Sequence, residues 1–244
     1  RTFQPVTVGL KGDMGETLNS LQNFLGERGT DFAWLKKARD CFDKIHNFEL
    51  GISSEYRESS GIAPQAVYKE IRKVVPEDTI IAADAGAHKS LASQAWLTNL
   101  PLKYFVSNGL SPMGFSLGAA MGAKMASPKA PVISLVGDGG FLMYAGELAT
   151  WKRLDIAMIQ VIMVDNGLTQ VKSKQLKKGY NTESTSFEKI DYKKIVESFG
   201  IDAIEAHNVT ELVDGIKKAL KLDKPVSIVV KLDGSEYLRM PSAV

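Results

Sequence analysis

The chain has 244 residues, of which 44% are hydrophobic and 24% are charged, a composition typical of globular proteins. Its net charge of +2 gives no reason to expect binding to nucleic acid or to a membrane surface, and no apolar run approaches the roughly 20 residues needed to span a bilayer. With one cysteine and three scattered histidines, an internal disulfide and a zinc site rich in Cys or His are excluded, and we expect a reducing, cytoplasmic setting.

The first 60 or so residues differ in pattern from the rest. After a short, partly extended segment at residues 2–10, apolar residues at helical spacing predict helices at 14–25 and 31–47. Residues 51–61 are rich in serine and charge and lack periodicity, which predicts a linker or surface loop. We therefore divide the chain into residues 1–60 and 61–244.

From residue 62 onward, short apolar runs alternate with helical patterns. This alternation predicts an α/β fold, namely a doubly wound, mainly parallel six-stranded sheet with helices on both faces. The predicted strands are 79–83, 104–106, 132–136, 158–164, 203–205 and 226–231. The predicted helices between them are 64–75, 89–96, 115–125, 192–199 and 212–220, with a further helical stretch between the third and fourth strands.

Two consecutive predicted strands end in polar residues. The run at 132–136 is followed by Gly137-Asp138-Gly139-Gly140, and the run at 158–164 by Asp165-Asn166-Gly167. Strands joined by one crossover helix are expected to be parallel, so Asp138 and Asn166 should converge at the carboxyl edge of the sheet, where such sheets bind ligands. A carboxylate and an amide oxygen are ligands that Mg²⁺ or Ca²⁺ prefers. Glycine N–H groups at the start of a helix suit a phosphate.

This pattern resembles the cofactor motif of the thiamine-diphosphate-dependent enzymes, in which Gly-Asp-Gly is followed, a little under thirty residues later, by Asn-Asn or a close variant. Two other segments are similar to the same family. Asp84-Ala85-Gly86-Ala87-His88 resembles the Asp-x-Gly-x-His turn of the acetolactate synthase branch. Ser107-Asn108-Gly109 with Met113-Gly114-Phe115 resembles the segment that grips the cofactor's aminopyrimidine. The resemblance covers residues 62 to about 232.

The resemblance implies a role for each matching residue. The implied metal ligands, for Mg²⁺, are Asp138, the side-chain oxygen of Asn166 and the backbone carbonyl of Leu168. The residues implied to contact the diphosphate are Ala87, His88, Gly137, Gly139 and Gly140. The pyrimidine would be held by the backbone around Ser111 and Met113, and the Met113 side chain would bend the cofactor so that its amino group reaches the reacting carbon. Residues 168–174 would contribute to substrate choice.

Two positions depart from the family pattern. Asp165 stands where many relatives have a first Asn, but that position is usually not a ligand, so metal binding should survive. Catabolic acetolactate synthases have the same Asp-Asn-Gly sequence, which mildly favours assigning the chain to that branch. Ala87 replaces a residue that is commonly polar, so one contact to the diphosphate should be missing.

The family's activating glutamate lies on a pyrimidine-binding domain that precedes a central domain. Because Arg1 is not a start methionine and residues 2–25 look like the last strand and helix of a central domain, we expect the chain to be the C-terminal third of a longer enzyme. No catalytic residue is then expected within it. The chain alone should bind thiamine diphosphate weakly and turn over little or nothing.

The resemblance leaves several activities open. The first is an acetolactate synthase that decarboxylates a 2-oxo acid, such as pyruvate, and joins it to a second 2-oxo acid. The alternatives within the family are a simple 2-oxo acid decarboxylase and a pyruvate oxidase with FAD in the central domain. A non-catalytic module and an NAD-dependent dehydrogenase are the remaining alternatives, and the second lacks its glycine fingerprint. The complete enzyme is expected to be a homodimer or homotetramer, with the cofactor bound between this part and a neighbouring subunit's pyrimidine-binding domain.

Overall fold

The chain divides into two compact units, Arg1–Asn47 and Phe48–Val244. The computed structural model describes residues 6–26, 29, 31–46 and 61–238. The predicted boundary near residue 60 and nearly all of the predicted loop at 51–61 lie outside the described residues.

The first unit contains two helices, α1 (Met14–Leu25) and α2 (Phe32–His46), as predicted. Each begins after an aspartate that caps it: the Asp13 carboxylate accepts a 3.0 Å hydrogen bond from the Glu16 N–H, and that of Asp31 accepts one of 2.9 Å from the Trp34 N–H. Such caps satisfy N–H groups that have no partner within the helix. Residues 6–10 form no strand, so the strand expected at this place is not found in its described part.

The second unit is built on a six-stranded sheet in which every pairing is parallel. The strand order is β2-β1-β3-β4-β6-β5. This confirms the predicted doubly wound α/β fold. The strands are β1 (Ile80–Ala83), β2 (Tyr104–Val106), β3 (Val132–Gly137), β4 (Ile159–Val164), β5 (Asp202–Ala206) and β6 (Val226–Lys231).

The helices of the second unit follow the strands, as the alternating pattern predicts. Within the described residues they are α3 (Pro64–Val74), α4 (Ala87–Ala95), α5 (Phe115–Ala126), α6 (Asp138–Tyr144), α7 (Leu148–Leu154), α8 (Thr169–Lys177), α9 (Tyr192–Ser198), α10 (Val209–Ala219) and α11 (Ser235–Leu238). A 3₁₀ turn at Ala145–Glu147 separates α6 from α7. The sequence patterns did not predict α8 and α11. No helix among the described residues is both long and apolar enough to cross a membrane.

Both faces of the sheet are covered, and alternate residues of each strand enter one of two cores. The first core joins α3, α4 and α10 to inward residues such as Ile81 and Ile133. The second joins α5, α7 and α9 to residues such as Val132 and Val136. Trp151 of α7, wholly buried, donates its indole N–H to the Ile156 carbonyl at 2.8 Å.

The strand order reverses between β1 and β3, because β1 is followed by β2 on one side and β3 by β4 on the other. At such a reversal the connections leave in opposite directions and open a crevice at the carboxyl ends of the strands. The turns after β1, β3 and β4 all meet there. The fold therefore brings the three motif-bearing turns to one edge.

Candidate functional site

A cavity of about 440 Å³ lies at this edge, within the range of roughly 300–1,000 Å³ common for small-molecule sites. It is lined by residues of the turn after β1, of the segment before α5, of the turn after β3, of the turn after β4 with the start of α8, and by Tyr237 of α11. The predicted site residues that line it are Ala87, His88, Ser111, Met113, Gly137, Asp138, Gly139, Gly140 and Leu168.

Asn166 is the predicted site residue that does not line the cavity, although both of its neighbours, Asp165 and Gly167, do. Its backbone is left-handed, with φ of 57°, a conformation that Asn tolerates better than most residues. The turn is fixed by two backbone hydrogen bonds of 2.8 Å, from the Leu168 N–H to the Thr185 carbonyl and from the Phe187 N–H to the Asn166 carbonyl. Asn166 is thus held at the end of β4 beside the cavity.

Asp138 joins the ends of β3 and β4. Its side chain is 2% exposed. One carboxylate oxygen accepts a 2.8 Å hydrogen bond from the Gly139 N–H, and the other accepts hydrogen bonds from the N–H groups of Asp165 at 3.2 Å and Gly167 at 3.3 Å. Burial and the nearby Asp165 carboxylate raise the pKa of Asp138 to about 7, although the backbone donors lower it.

Asp165 is the second acidic group here, and burial raises its pKa as well. Two buried carboxylates side by side are stabilised as anions when a divalent cation binds between or beside them. The Leu168 carbonyl accepts one hydrogen bond, of 3.0 Å, from the Lys172 N–H, which leaves its second lone pair for a ligand. The donor set therefore fits a hard cation such as Mg²⁺.

His88 is the clearest sign of an anion-binding group. It is 6% exposed, and its Nε2 atom is buried without a hydrogen-bond partner. A buried polar nitrogen without a partner costs free energy unless a ligand satisfies it. Burial lowers the pKa of His88 to about 4, although the Asp84 carboxylate acts in the opposite direction. A neutral imidazole can donate Nε2–H to a phosphate oxygen.

Gly139 lies where a larger residue would not fit. A Cβ atom there would come within 3.0 Å of both Leu168 Cδ2 and Met113 Cε. Met113 and Leu168 come from two different turns, and both side chains thus lie close to Gly139. Gly139 and Gly140 belong to the first turn of α6, where N–H groups lack backbone partners within the helix. That of Gly139 donates to the Asp138 carboxylate. The backbone here is open to the cavity.

Sequence reasoning did not single out several residues that the structure brings to the cavity or its walls. Lys89, Ser90 and Tyr237 line it, and no motif or periodicity pointed to them. Asp84 belongs to the Asp-x-Gly-x-His segment but was given no role of its own, and the structure places it wholly buried at the end of β1. Among the described residues, no three His, Cys, Asp or Glu side chains are grouped to hold a metal.

Comparison with protein families matches residues 84–230, more than half of the chain, to the family described as "Thiamine pyrophosphate enzyme, C-terminal TPP binding domain". Thiamine pyrophosphate and thiamine diphosphate are the same compound. The matched stretch contains the turns after β1, β3 and β4.

Similar curated proteins include acetolactate synthases. The chain is 32% identical over 240 residues to the acetolactate synthase of Bacillus subtilis (strain 168), covering 98% of this chain and 42% of that protein. It is 34% identical over 215 residues to a probable acetolactate synthase large subunit of Methanocaldococcus jannaschii, covering 84% and 36%. A 3D-(3,5/4)-trihydroxycyclohexane-1,2-dione hydrolase of B. subtilis is 29% identical over 237 residues, covering 92% and 37%.

The chain thus spans about two fifths of the length of these relatives. One relative is named a hydrolase, so the likeness does not identify a single reaction. The cavity, the turns that line it and the family match agree on the cofactor. The chain belongs to the thiamine pyrophosphate enzymes and contains their C-terminal TPP-binding domain, as found in acetolactate synthase-like proteins.

Proposed function

We propose that the chain is the cofactor-binding part of an acetolactate synthase-type enzyme. The enzyme decarboxylates a 2-oxo acid, with pyruvate as the expected substrate, and joins it to a second 2-oxo acid. The observation that carries the proposal is the single cavity shared by His88, Met113, Asp138 and Leu168. These residues come from four separate turns, and each is one to which the family resemblance assigns a cofactor or metal contact.

At the metal end, Mg²⁺ would be held by Asp138, the Asn166 side-chain oxygen and the Leu168 carbonyl. Asp138 is fixed by backbone N–H groups from both strand ends, so the carboxylate is oriented before a ligand arrives. Binding of a divalent cation favours the ionised form of Asp138 and removes the cost of its burial. Asn166, which lies beside the cavity at the end of β4, would contribute its side-chain oxygen.

The diphosphate would lie between the turns after β1 and β3. His88 would donate from Nε2, and Gly140, which lines the same cavity, would offer its first-turn N–H. Gly139, whose N–H donates to Asp138, would let the diphosphate approach because it has no side chain. Gly137 accommodates the imidazole, since a Cβ there would lie 3.1 Å from His88 Cε1 and Nδ1. Ala87 beside His88 offers no polar side chain, so this end depends on His88 and the backbone.

The pyrimidine would lie at the Ser111 and Met113 end. Met113 lines the cavity and reaches across to the Gly139 turn, a place from which it would force a bent cofactor. When bound, thiamine diphosphate supplies the electron sink for the decarboxylation. The chain's own residues bind and orient it and exclude water from its buried end.

The activating glutamate would come from a pyrimidine-binding domain of a neighbouring subunit. Within the described part of the chain, the carboxylates that line the cavity are Asp138 and Asp165, and both belong to the metal end. An acid for the pyrimidine end must then come from elsewhere. Such a two-sided site makes a homodimer or homotetramer the expected state of the complete enzyme.

One surface of the TPP-binding domain suits that partner. Exposed apolar side chains in the segment before α5 and at the end of α6 are Leu110, Met143 and Tyr144, with exposed fractions of 97%, 63% and 44%. Gly118 and Gly122 of α5 have no atom within 4 Å of an added Cβ, so a second backbone could approach closely. Apolar patches of this kind commonly mark protein contacts.

Two measurements test the proposal. In a thermal-shift assay, thiamine diphosphate plus Mg²⁺ should raise the melting temperature more than either alone, because ligand binding stabilises the folded state. No shift at millimolar concentrations of both would contradict cofactor binding. For the reaction, product analysis with pyruvate on the complete enzyme should give acetolactate, whereas acetaldehyde or acetyl phosphate would indicate a decarboxylase or an oxidase.

A further inference from the structure

Residues 107–116, which run from the end of β2 into the first turn of α5, are held by hydrogen bonds at both ends to residues that follow β1. Lys89, in the first turn of α4, lies against the beginning of the segment. Its ammonium group donates hydrogen bonds to the Ser107 carbonyl at 2.9 Å and to Ser111 Oγ at 2.8 Å. Ser111 Oγ in turn donates to the Ser107 carbonyl at 2.9 Å. The three groups close a small ring of hydrogen bonds.

Ser111 needs such support. Its φ of 50° places a non-glycine residue in the left-handed region, which is unfavourable for L-residues and persists only where the surroundings impose it. Lys89 makes no ion pair among the described residues. Its charge is thus available to strengthen these two hydrogen bonds, since charge-assisted hydrogen bonds are the stronger kind.

Asp84 holds the other end of the segment. One of its carboxylate oxygens accepts a 2.8 Å hydrogen bond from the Gly114 N–H, and the other accepts one of 2.9 Å from the Ser116 N–H. The N-cap residue of α5, Gly114, has no side chain to cap the helix. The buried carboxylate of Asp84 therefore serves as a cap from a neighbouring strand, where a negative charge is favourable.

Gly114 fits this arrangement for two reasons. Its φ of 89° is in the region that favours glycine, and an added Cβ would overlap the ring of Tyr144. Asp84 also reaches the turn after β3, because a Cβ on Gly140 would lie 3.2 Å from Asp84 Oδ1. The Asp84 carboxylate thus lies against both the start of α5 and the turn after β3.

Met113 lies between the two fastened points. Ser111 on one side is held by Lys89, and Gly114 on the other by Asp84. We propose that Asp84 and Lys89 are positioning residues that fix Met113 relative to the turns after β1 and β3, where the diphosphate would bind. The residues that contact the two ends of the cofactor are then held in one fixed arrangement. This rests on the proposed function, which gives Met113 its role. Neither residue needs to touch the cofactor.

The test compares two ligands and one ligand-free measurement, using the whole chain. Calorimetric titrations with Mg²⁺ present would measure binding of thiamine diphosphate and of inorganic diphosphate, which lacks the part that Met113 contacts. Hydrogen exchange without ligand would measure protection of the 107–116 segment. The variants are Lys89→Met, Lys89→Arg and Asp84→Asn. The control is Lys129→Met, an exposed lysine that precedes β3.

We expect Lys89→Met to weaken thiamine diphosphate by about tenfold or more, since two charge-assisted hydrogen bonds are lost, and inorganic diphosphate by less than about twofold. Exchange in 107–116 should rise while β3 and β4 keep their protection. Lys89→Arg, which retains a cation able to donate to both acceptors, should restore most of the affinity. Lys129→Met should behave as the wild type.

Equal weakening of both ligands, or unchanged exchange in 107–116, would overturn the inference. If Asp84→Asn fails to fold, the Lys89 variants still decide. If the wild type binds neither ligand, the proposed function is wrong. The hydrogen-exchange measurement, which needs no ligand, then still tests whether Lys89 holds residues 107–116 in place.

Discussion

Asp138 and Asp165 lie at the ends of neighbouring strands, and the carboxylate of Asp138 accepts a 3.2 Å hydrogen bond from the backbone N–H of Asp165. This contact joins β3 to β4 at the cavity and places two acidic side chains on one side of it. A buried pair of this kind favours a cation. The metal end of the site thus follows from the parallel pairing of the two strands.

Asp138→Asn should abolish the effect of Mg²⁺ on cofactor binding. The amide keeps the size of the side chain but removes the charge that a hard cation requires. The melting temperature would then respond no more to thiamine diphosphate with Mg²⁺ than to thiamine diphosphate alone. Asp214→Asn, at an exposed position on α10, is the matched control and should keep the full response. A full response in Asp138→Asn would show that the ion lies elsewhere.

His88→Gln should weaken thiamine diphosphate binding by roughly ten- to a hundredfold, because a hydrogen bond to a charged group contributes about 1.5–3 kcal/mol. The Nε2 atom of His88 is buried and without a partner in the ligand-free chain, so the fold itself does not depend on that donor. Titration calorimetry of the variant measures the affinity. Wild-type affinity in the variant would show that His88 does not bind the diphosphate.

His88 should also make the ligand-free chain less stable in acid. Burial lowers its pKa to about 4, below the roughly 6.5 of an exposed histidine. Between these values the unfolded chain binds more protons than the native one, so the free energy of unfolding rises with pH across this window and falls as the pH is lowered. From about pH 7.5 to about pH 5, the His88 contribution should fall by about 2 kcal/mol.

Urea unfolding at the two pH values measures this loss. The wild type should lose about 2 kcal/mol more than His88→Gln, whose side chain takes up no proton. Equal losses in the two proteins would mean that His88 is not buried in its neutral form.

Gly139→Ala should weaken cofactor binding, whereas Gly118→Ala should stabilise the folded chain. The new methyl group at Gly139 would press on Leu168 and Met113 at 3.0 Å and narrow the cavity, so the affinity for thiamine diphosphate should fall. At Gly118, in an exposed part of α5, nothing lies within 4 Å. There the higher helix propensity of alanine should stabilise the isolated chain by up to about 1 kcal/mol. Denaturant unfolding and calorimetry on both variants check the pair.

The isolated chain should turn over pyruvate little or not at all. The carboxylates that line the cavity in the described part lie at its metal end, so an acid for the pyrimidine would have to be supplied by another domain. Product analysis with pyruvate, thiamine diphosphate and Mg²⁺ is the measurement. Sustained release of CO₂ by the chain alone would contradict a site that is shared between subunits.

The sheet could be predicted from the sequence because its four central strands, β1, β3, β4 and β6, are almost wholly buried and form short apolar runs in the sequence. All six strands were found, with bounds that differ by a residue or two, and the strand ends gave the positions of Asp138 and His88. Helix α8 was missed because none of its residues is buried, so it has no apolar stripe to detect. Helix α11 is only four residues long, too short for a periodic pattern.

The contacts between distant turns could not be predicted. Lys89 reads in the sequence as an ordinary charged residue, and its hydrogen bond to Ser111 spans 22 residues. The Asp84 carboxylate reaches Gly114 and Ser116 across 30 and 32 residues. Such contacts depend on how β1 and β2 pair and on the path of the segment after β2. Local propensity carries no information about either.

The central claim is that this cavity binds thiamine diphosphate through a metal ion held by Asp138. Titration calorimetry of thiamine diphosphate into the chain, with and without Mg²⁺, tests it most directly. We predict one cofactor bound per chain with Mg²⁺, much weaker binding without the ion, and no difference between the two conditions in Asp138→Asn. Absence of binding by the wild type at millimolar cofactor and Mg²⁺, or binding that Asp138→Asn leaves unchanged, would contradict the account.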